Sequence, residues 1–246
     1  MKIKIVCLLL TVLMLSACGA APSETMPVEQ PTTVVQTDPT EAPTQPPETE
    51  PPKPVTVYAG AVEEPLLPLE DYSGERTHAP EFVMIHFTSA VVLDKKNPYD
   101  MDLIRGIFED YKVSIHYIIE RDGTVRCYIP EDRVAWHAGK GTWQDNEKYT
   151  NTMNQYAIGI EMVAMGSKDD MSMYLTGKEY DSLDPALMGY TEEQYAALQG
   201  LVKDLCQRHN IPLDRQHVIG HEEYSENKTD PGDLFDWNRI IEQGSE

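Results

Sequence analysis

The chain has 246 residues and carries 41 acidic against 20 basic side chains, a formal net charge of −21. Loss of Lys2 and Lys4 with an exported leader would deepen this to −23. Such a surface repels nucleic acid and anionic headgroups at long range, which excludes a nucleic-acid binder and leaves a covalent anchor as the route to a membrane.

Residues 1–17 read as a secretory leader, with Lys2 and Lys4 ahead of an apolar run from Ile5 to Leu15 and then the small Ser16 and Ala17. The run is short for a bilayer span. Leu15-Ser16-Ala17-Cys18-Gly19 resembles the bacterial lipobox, in which cleavage leaves the cysteine as a lipidated N-terminus. That resemblance implies an exported protein held to the outer side of a bacterial membrane through lipid on Cys18; an ordinary leader with a chance cysteine is the plainer alternative. Cys7 departs with the leader, so Cys127 and Cys206 are left, and a disulfide or two separately buried thiols both fit.

Residues 18–57 are dominated by Pro, Thr, Glu and Gln, with Pro46-Pro47 and Pro51-Pro52 favouring extended backbone. Such a segment cannot bury a core and reads as a semi-rigid tether. The folded unit is expected over residues 58–246, with its first element between Thr56 and Glu81, a normal size for one domain.

Within that unit Phe82 to His86 predicts a buried strand, and Leu103, Ile104, Ile107, Phe108 and Tyr111 are spaced as on one face of a helix over Asp100 to Tyr111. Ile115 to Glu120 and Thr124 to Ile129 flank Arg121-Asp122-Gly123, which predicts a hairpin. Tyr156 to Val163 predicts another buried strand. Thr191 with Gln194 forms a capping box for a helix that carries Tyr195, Leu198, Leu201, Val202 and Leu205 and ends near Asn210. Val218-Ile219 predicts a short strand, and Asp236 a cap for a last helix through Ile240 and Ile241. Residues 166–190 show no period and read as an insertion, either tuning a nearby cleft or lying inert on the surface. Interleaved strands and helices with an antiparallel hairpin predict an α/β domain, a mixed central sheet flanked by helices.

Histidines fall where these elements end: His86 closes the first strand, His221 follows Val218-Ile219-Gly220, and Asp230 lies in the next loop. Two imidazoles and a carboxylate suffice to hold Zn²⁺ with a position left open. Glu161 within Ile158-Gly159-Ile160-Glu161-Met162-Val163 stands out, because an acid in a buried strand is costly without a partner or a task. Taken singly, each of the other groups is better explained as a hydrogen-bonded or solvated structural residue. His221-Glu222-Glu223-Tyr224-Ser225 lacks the second histidine of the helical zinc-protease motif, and no Gly-x-Ser-x-Gly elbow occurs, which argues against those hydrolase classes.

Val83-Met84-Ile85-His86-Phe87-Thr88, Trp136-His137-Ala138-Gly139, Ile158-Gly159-Ile160-Glu161, Ile219-Gly220-His221 and Lys228-Thr229-Asp230-Pro231-Gly232 together resemble, in this order, the family 2 N-acetylmuramoyl-L-alanine amidases. Phage amidase-type lysozymes and peptidoglycan recognition proteins are their relatives. The resemblance implies zinc held by His86, His221 and Asp230, and Glu161 with Lys228 as the catalytic pair. It further implies substrate contacts from His137, a lining or supporting role for His116, and hydrolysis of the bond between N-acetylmuramic acid and L-alanine in peptidoglycan or its fragments. A non-catalytic peptidoglycan-binding module of the same fold is the rival, as is an amidase for another acylated amino compound. His217 is the substitute ligand, His209 and His78 are expected to be structural, and a monomer is expected. Replacing Cys18 by Ser should abolish incorporation of radiolabelled fatty acid and release the protein from the membrane fraction; unchanged labelling would remove Cys18 as the anchor.

Overall fold

The computed structural model describes residues 57–62 and 67–241. The expected leader, Cys18 and nearly all of the tether lie outside them. In chain order the elements are α1 (Leu69–Tyr72), β1 (Ser73–Glu75), β2 (Phe82–Thr88), α2 (Met101–Tyr111), β3 (Tyr117–Ile119), β4 (Val125–Cys127), β5 (Arg133–Ala135), β6 (Ala157–Val163), α3 (Gly177–Asp181), α4 (Glu192–His209), β7 (Val218–Gly220) and α5 (His221–Tyr224). Single 3₁₀ turns occupy Met153–Gln155, Asp170–Met173, Pro185–Leu187 and Trp237–Arg239.

Five strands form the central sheet in the order β4-β3-β6-β2-β7. Strands β3, β6, β2 and β7 run parallel to their neighbours, and β4 returns antiparallel beside β3. The sheet is thus mixed, as the pattern predicts. Its hairpin turns where expected: Gly123 takes φ +84°, the Asp122 carboxylate accepts from Thr124 N–H at 2.9 Å, and Glu120 N–H closes on Thr124 O at 2.9 Å. Asp100 caps α2 by accepting from the N–H groups of Asp102 and Leu103, and Ile104 and Phe108 are the buried residues of that helix.

On one face of the sheet Val83, Ile85, Tyr117, Ile119, Ile158 and Ile160 pack under Leu198, Leu201, Val202 and Leu205 of α4. The capping box does more than start that helix. Gln194 is fully buried, and its amide donates to Ile119 O at 3.1 Å and Val163 O at 3.0 Å, tying the helix to the ends of β3 and β6. On the other face α2 covers part of the sheet, and Phe82, Met84, Met153, Tyr156, Ile219 and Tyr224 form a separate apolar cluster. Cys127 and Cys206 are both buried and unpaired.

Three features depart from expectation. The pair β1–β5 is a second, two-stranded antiparallel sheet whose three-residue strands carry no readable alternation. The final segment is one 3₁₀ turn, not a helix: Asp236 caps it, but Ile240 and Ile241 are drawn into the core directly after Arg239. The insertion folds into short helical turns around Val91, Met165, Met171, Leu175 and Leu183.

Glu131 fastens the far end of α4. Its carboxylate is fully buried and accepts from Arg208 at 2.6 and 2.8 Å, from His209 at 2.5 Å and from the Tyr117 hydroxyl. Burial alone would raise its pKa, but these bonds outweigh it and bring the carboxyl from 4.5 to about 2. A depressed carboxylate adds stability that is full above its unfolded pKa and is lost as pH falls through the folded one. Glu131→Ala should cost about 3 kcal/mol, the low end for breaking a buried pair, because Arg208 and His209 keep some solvent. Urea melts at pH 7 and pH 3 should show the gap between wild type and variant narrowing at the lower pH; a constant gap would deny the charge a role.

Candidate metal centre and active site

Strands β2 and β6 align His86 with Glu161, so both side chains leave the same face of the sheet near the carboxyl ends of the parallel strands. Loops at this edge are the usual place for a ligand in an open α/β sheet. The next strand across, β7, pairs Gly220 with Ile85 and delivers His221 as the first residue of α5. Glu222 N–H donates to Asp230 O at 3.0 Å, turning the following loop back toward the same point.

There three ligand atoms converge. His86 Nδ1 lies 3.0 Å from His221 Nδ1, and Asp230 Oδ2 lies 2.9 Å from the first and 3.0 Å from the second. His221 Nε2 is 3.0 Å from Ala138 O. A carbonyl only accepts, so Nε2 carries the proton and Nδ1 turns a lone pair inward. His86 is likewise held from behind, with Nε2 3.0 Å from His137 Nδ1. Among the described residues His86, His221 and Asp230 are the one group of this kind able to hold a metal. Tetrahedral bonds of about 2.0–2.2 Å put ligand atoms roughly 3.3–3.5 Å apart, so the triangle needs to open by only a few tenths of an ångström. The donor set of two imidazoles and one carboxylate suits Zn²⁺, and each histidine is oriented by its second nitrogen as metal ligands are.

For His86 and Asp230 the electrostatics favour the unprotonated form. Burial, reinforced by His221, brings His86 down from 6.5 to about 4 against the opposing pull of Asp230. Burial opposes ionisation of Asp230, but its contacts with His221 and His86 hold the carboxyl far below the usual range. Glu161 goes the other way: burial first, and Asp230 second, push its pKa well above 4.5, while Lys228 opposes them. Its Oε2 is shielded from solvent and has no hydrogen-bond partner among the described residues. Lys228 is exposed on the Asp230 loop, where its charge acts on Glu161 and His86.

His137 and His116 form layers behind the triangle. A Cβ at Gly159 would stand 2.8 Å from the His137 ring and 2.5 Å from Ile115 Cδ1, so glycine is what lets the imidazole lie over β6 beside His86. Asn154 Oδ1 fixes this segment by accepting from the N–H groups of His137 and Ala138. His137 Nε2 is buried without a partner among the described residues. His116 is fully buried; its Nδ1 accepts from Gly159 N–H at 3.0 Å and its Nε2 donates to Arg133 O at 3.1 Å. That placement is a supporting one, with no nitrogen free for a substrate. His217 bonds Asp214 at 2.7 Å and stacks on Phe82, away from the triangle. His209 is bound to Glu131, and His78 is exposed beside Tyr156. Sequence reasoning did not reach the parts played by Ala138, Asn154 and Gly159; the glycine inside a buried strand was the signal available for close packing.

A family model described as N-acetylmuramoyl-L-alanine amidase matches residues 76–233. The chain belongs to this amidase family. It is 33% identical over 130 residues to 1,6-anhydro-N-acetylmuramyl-L-alanine amidase AmpD of Citrobacter freundii, covering 52% of this chain and 56% of that one. It is 28% identical over 170 residues to N-acetylmuramoyl-L-alanine amidase AmiD of Escherichia coli, covering 66% and 52%. The chain thus spans little more than half the length of these amidases. The crystal structure of a selenomethionine derivative of AmpD superposes with a TM-score of 0.51 at 26% identity over 75% of this chain and 94% of the other.

Elemental analysis should find one divalent metal per wild-type chain, which His86→Ala and His221→Ala should each lose and His217→Ala should retain. Metal loss only in the His217 variant would move the site.

Proposed function

We propose that this chain is a zinc-dependent N-acetylmuramoyl-L-alanine amidase acting on peptidoglycan or its muropeptide fragments. The observation that carries the reading is the triangle of His86, His221 and Asp230 with Glu161, whose Oε2 is buried without a partner among the described residues, rising from the neighbouring strand. Family membership and the similarity to amidases named for this bond support the substrate.

Zinc held by His86, His221 and Asp230 would supply Lewis acidity, polarising the scissile carbonyl and making water a nucleophile near neutral pH. Glu161 takes the proton of the attacking water as the new C–O bond forms. Its raised pKa suits it to that exchange, since an ordinary carboxylate is a weaker base and draws the proton from water less readily near neutrality. Glu161 then returns the proton to the amide nitrogen as the C–N bond breaks, so the L-alanine amine leaves neutral. Lys228 offsets the negative charge that builds on the carbonyl oxygen. His137 and the Ala138 carbonyl orient the two imidazoles, and His116 supports the strand beneath them.

The same reading places the enzyme on the outer side of a bacterial membrane, anchored through lipid on Cys18 and spaced from it by the tether. Among the described residues no helix is long and apolar enough to cross a membrane.

Glu161→Gln keeps the shape of the side chain but cannot take a proton. It should retain zinc and muropeptide binding while cleavage falls by roughly two to four orders of magnitude. Peptide release, zinc content and binding are to be measured on one preparation. Cleavage at the wild-type rate would remove Glu161 from the mechanism, and a wild type that binds without cleaving would favour a recognition module.

A further inference from the structure

The insertion over residues 166–190 holds the loop that carries Asp230, and it does so at three points. Thr229 Oγ1 donates to Asp170 O at 3.0 Å, Tyr190 Oη donates to Pro231 O at 2.6 Å, and Asp233 N–H donates to Asp170 Oδ2 at 3.2 Å. The first two contacts fall on the residues immediately before and after Asp230. Asp170 is buried at 7% exposure, and its Oδ2 also accepts from Ser167 N–H at 2.8 Å. Two glycines make room for it: a Cβ at Gly166 would lie 2.6 Å from Asp170 Cβ, and one at Gly232 2.5 Å from Asp170 Oδ2. Gly232 also takes φ +74°, a conformation glycine adopts without strain.

The need for such a brace follows from the site. Asp230 must bring an anionic oxygen within 3.0 Å of two imidazole nitrogens, and among the described residues its carboxylate contacts only those two rings. With no other hold on the side chain, the position of the loop backbone decides how closely that oxygen approaches the two rings. Glu222 N–H pins one side of the loop through Asp230 O, and the insertion pins the other. The insertion is in turn packed through Met171 and Leu175 against Val91 and Met165, beside strands β2 and β6.

We propose that Asp170 and Tyr190 are positioning residues that preset Asp230 for the metal, so that the insertion sets metal affinity. This rests on His86, His221 and Asp230 being the metal site. The test is chelator-competition titration of zinc into the full chain in detergent, after stripping, with hydrogen exchange followed at residues 229–233. Asp170→Ala leaves the N–H groups of Ser167 and Asp233 without their acceptor and should raise the zinc Kd by about tenfold to a hundredfold, the usual effect of losing a group behind a ligand. Asp170→Asn keeps an acceptor oxygen in place and should restore most of the affinity, which a mere need for the negative charge would not allow. Tyr190→Phe removes one bond and should give a smaller rise in Kd. Amides at 229–233 should exchange faster in the Ala and Phe variants, with the melting temperature of the metal-free protein little changed for Tyr190→Phe. Wild-type zinc affinity in a folded Asp170→Ala protein would overturn the proposal; if that variant does not fold, unchanged affinity in Tyr190→Phe would do so. A wild type that binds no zinc would sink the metal-site reading, and unchanged exchange at 229–233 would then decide against the brace on its own.

Discussion

The structure depends on bringing two imidazole lone pairs and a carboxylate to within about 3 Å of one another. Each participant comes from a different part of the chain: His86 from β2, His221 from the start of α5, Asp230 from the loop beyond it. The parallel pairing of β2 with β7 brings the two histidines to one edge. The contacts behind them, His86 Nε2 with His137 Nδ1 and His221 Nε2 with Ala138 O, orient the rings so that both Nδ1 atoms face inward. The affinity for a cation is in this sense built up by the fold before a cation binds.

The two faces of the sheet divide the labour. The face under α4 is an apolar layer, and its few buried polar groups are fully used: Gln194 binds the ends of two strands and Glu131 gathers Arg208, His209 and Tyr117. The opposite face leaves polar atoms unmet. His137 Nε2, Glu161 Oε2 and Glu222 Oε2 are buried without partners among the described residues, and all three belong to segments that surround the triangle. An unmet buried polar atom costs on the order of 1–3 kcal/mol. The surplus of order on one face is what allows that cost to be carried on the other, a pattern expected where chemistry and stability compete.

The parts of this architecture that were readable beforehand are those governed by local rules. Buried strands at Phe82 and Ala157, the Asp-Gly hairpin, and the Thr191–Gln194 capping box depend on a few neighbouring residues, and each lies where the pattern puts it. The short strand leading to His221 was readable for the same reason, whereas β2, expected to close at His86, runs on to Thr88. Groups defined by distant contacts were not. Strands β1 and β5 exist because they pair with each other, the last helix fails because Ile240 and Ile241 are needed in the core, and the insertion takes its order from packing on the distant Val91 and on Met165. His116 shows the limit most plainly: the resemblance left a lining, a supporting or a structural role open, while its bonds to Gly159 and Arg133, in another strand and another sheet, place it in the interior.

Glu161 joins these arguments. In a strand buried on both faces, an acid would ordinarily be neutralised by a facing cation or replaced. Here the nearest positive charge is Lys228, which is exposed and travels with the loop bearing Asp230, and Asp230 itself raises the pKa of Glu161. The loop therefore brings both a repelling and an attracting charge to the same carboxyl. A divalent cation against His86, His221 and Asp230 would offset the repulsion from Asp230, shifting the balance at Glu161 toward the ionised form that can accept a proton. Metal occupancy and the readiness of the base would then be linked through one residue, and precise placement of Asp230 would matter to both.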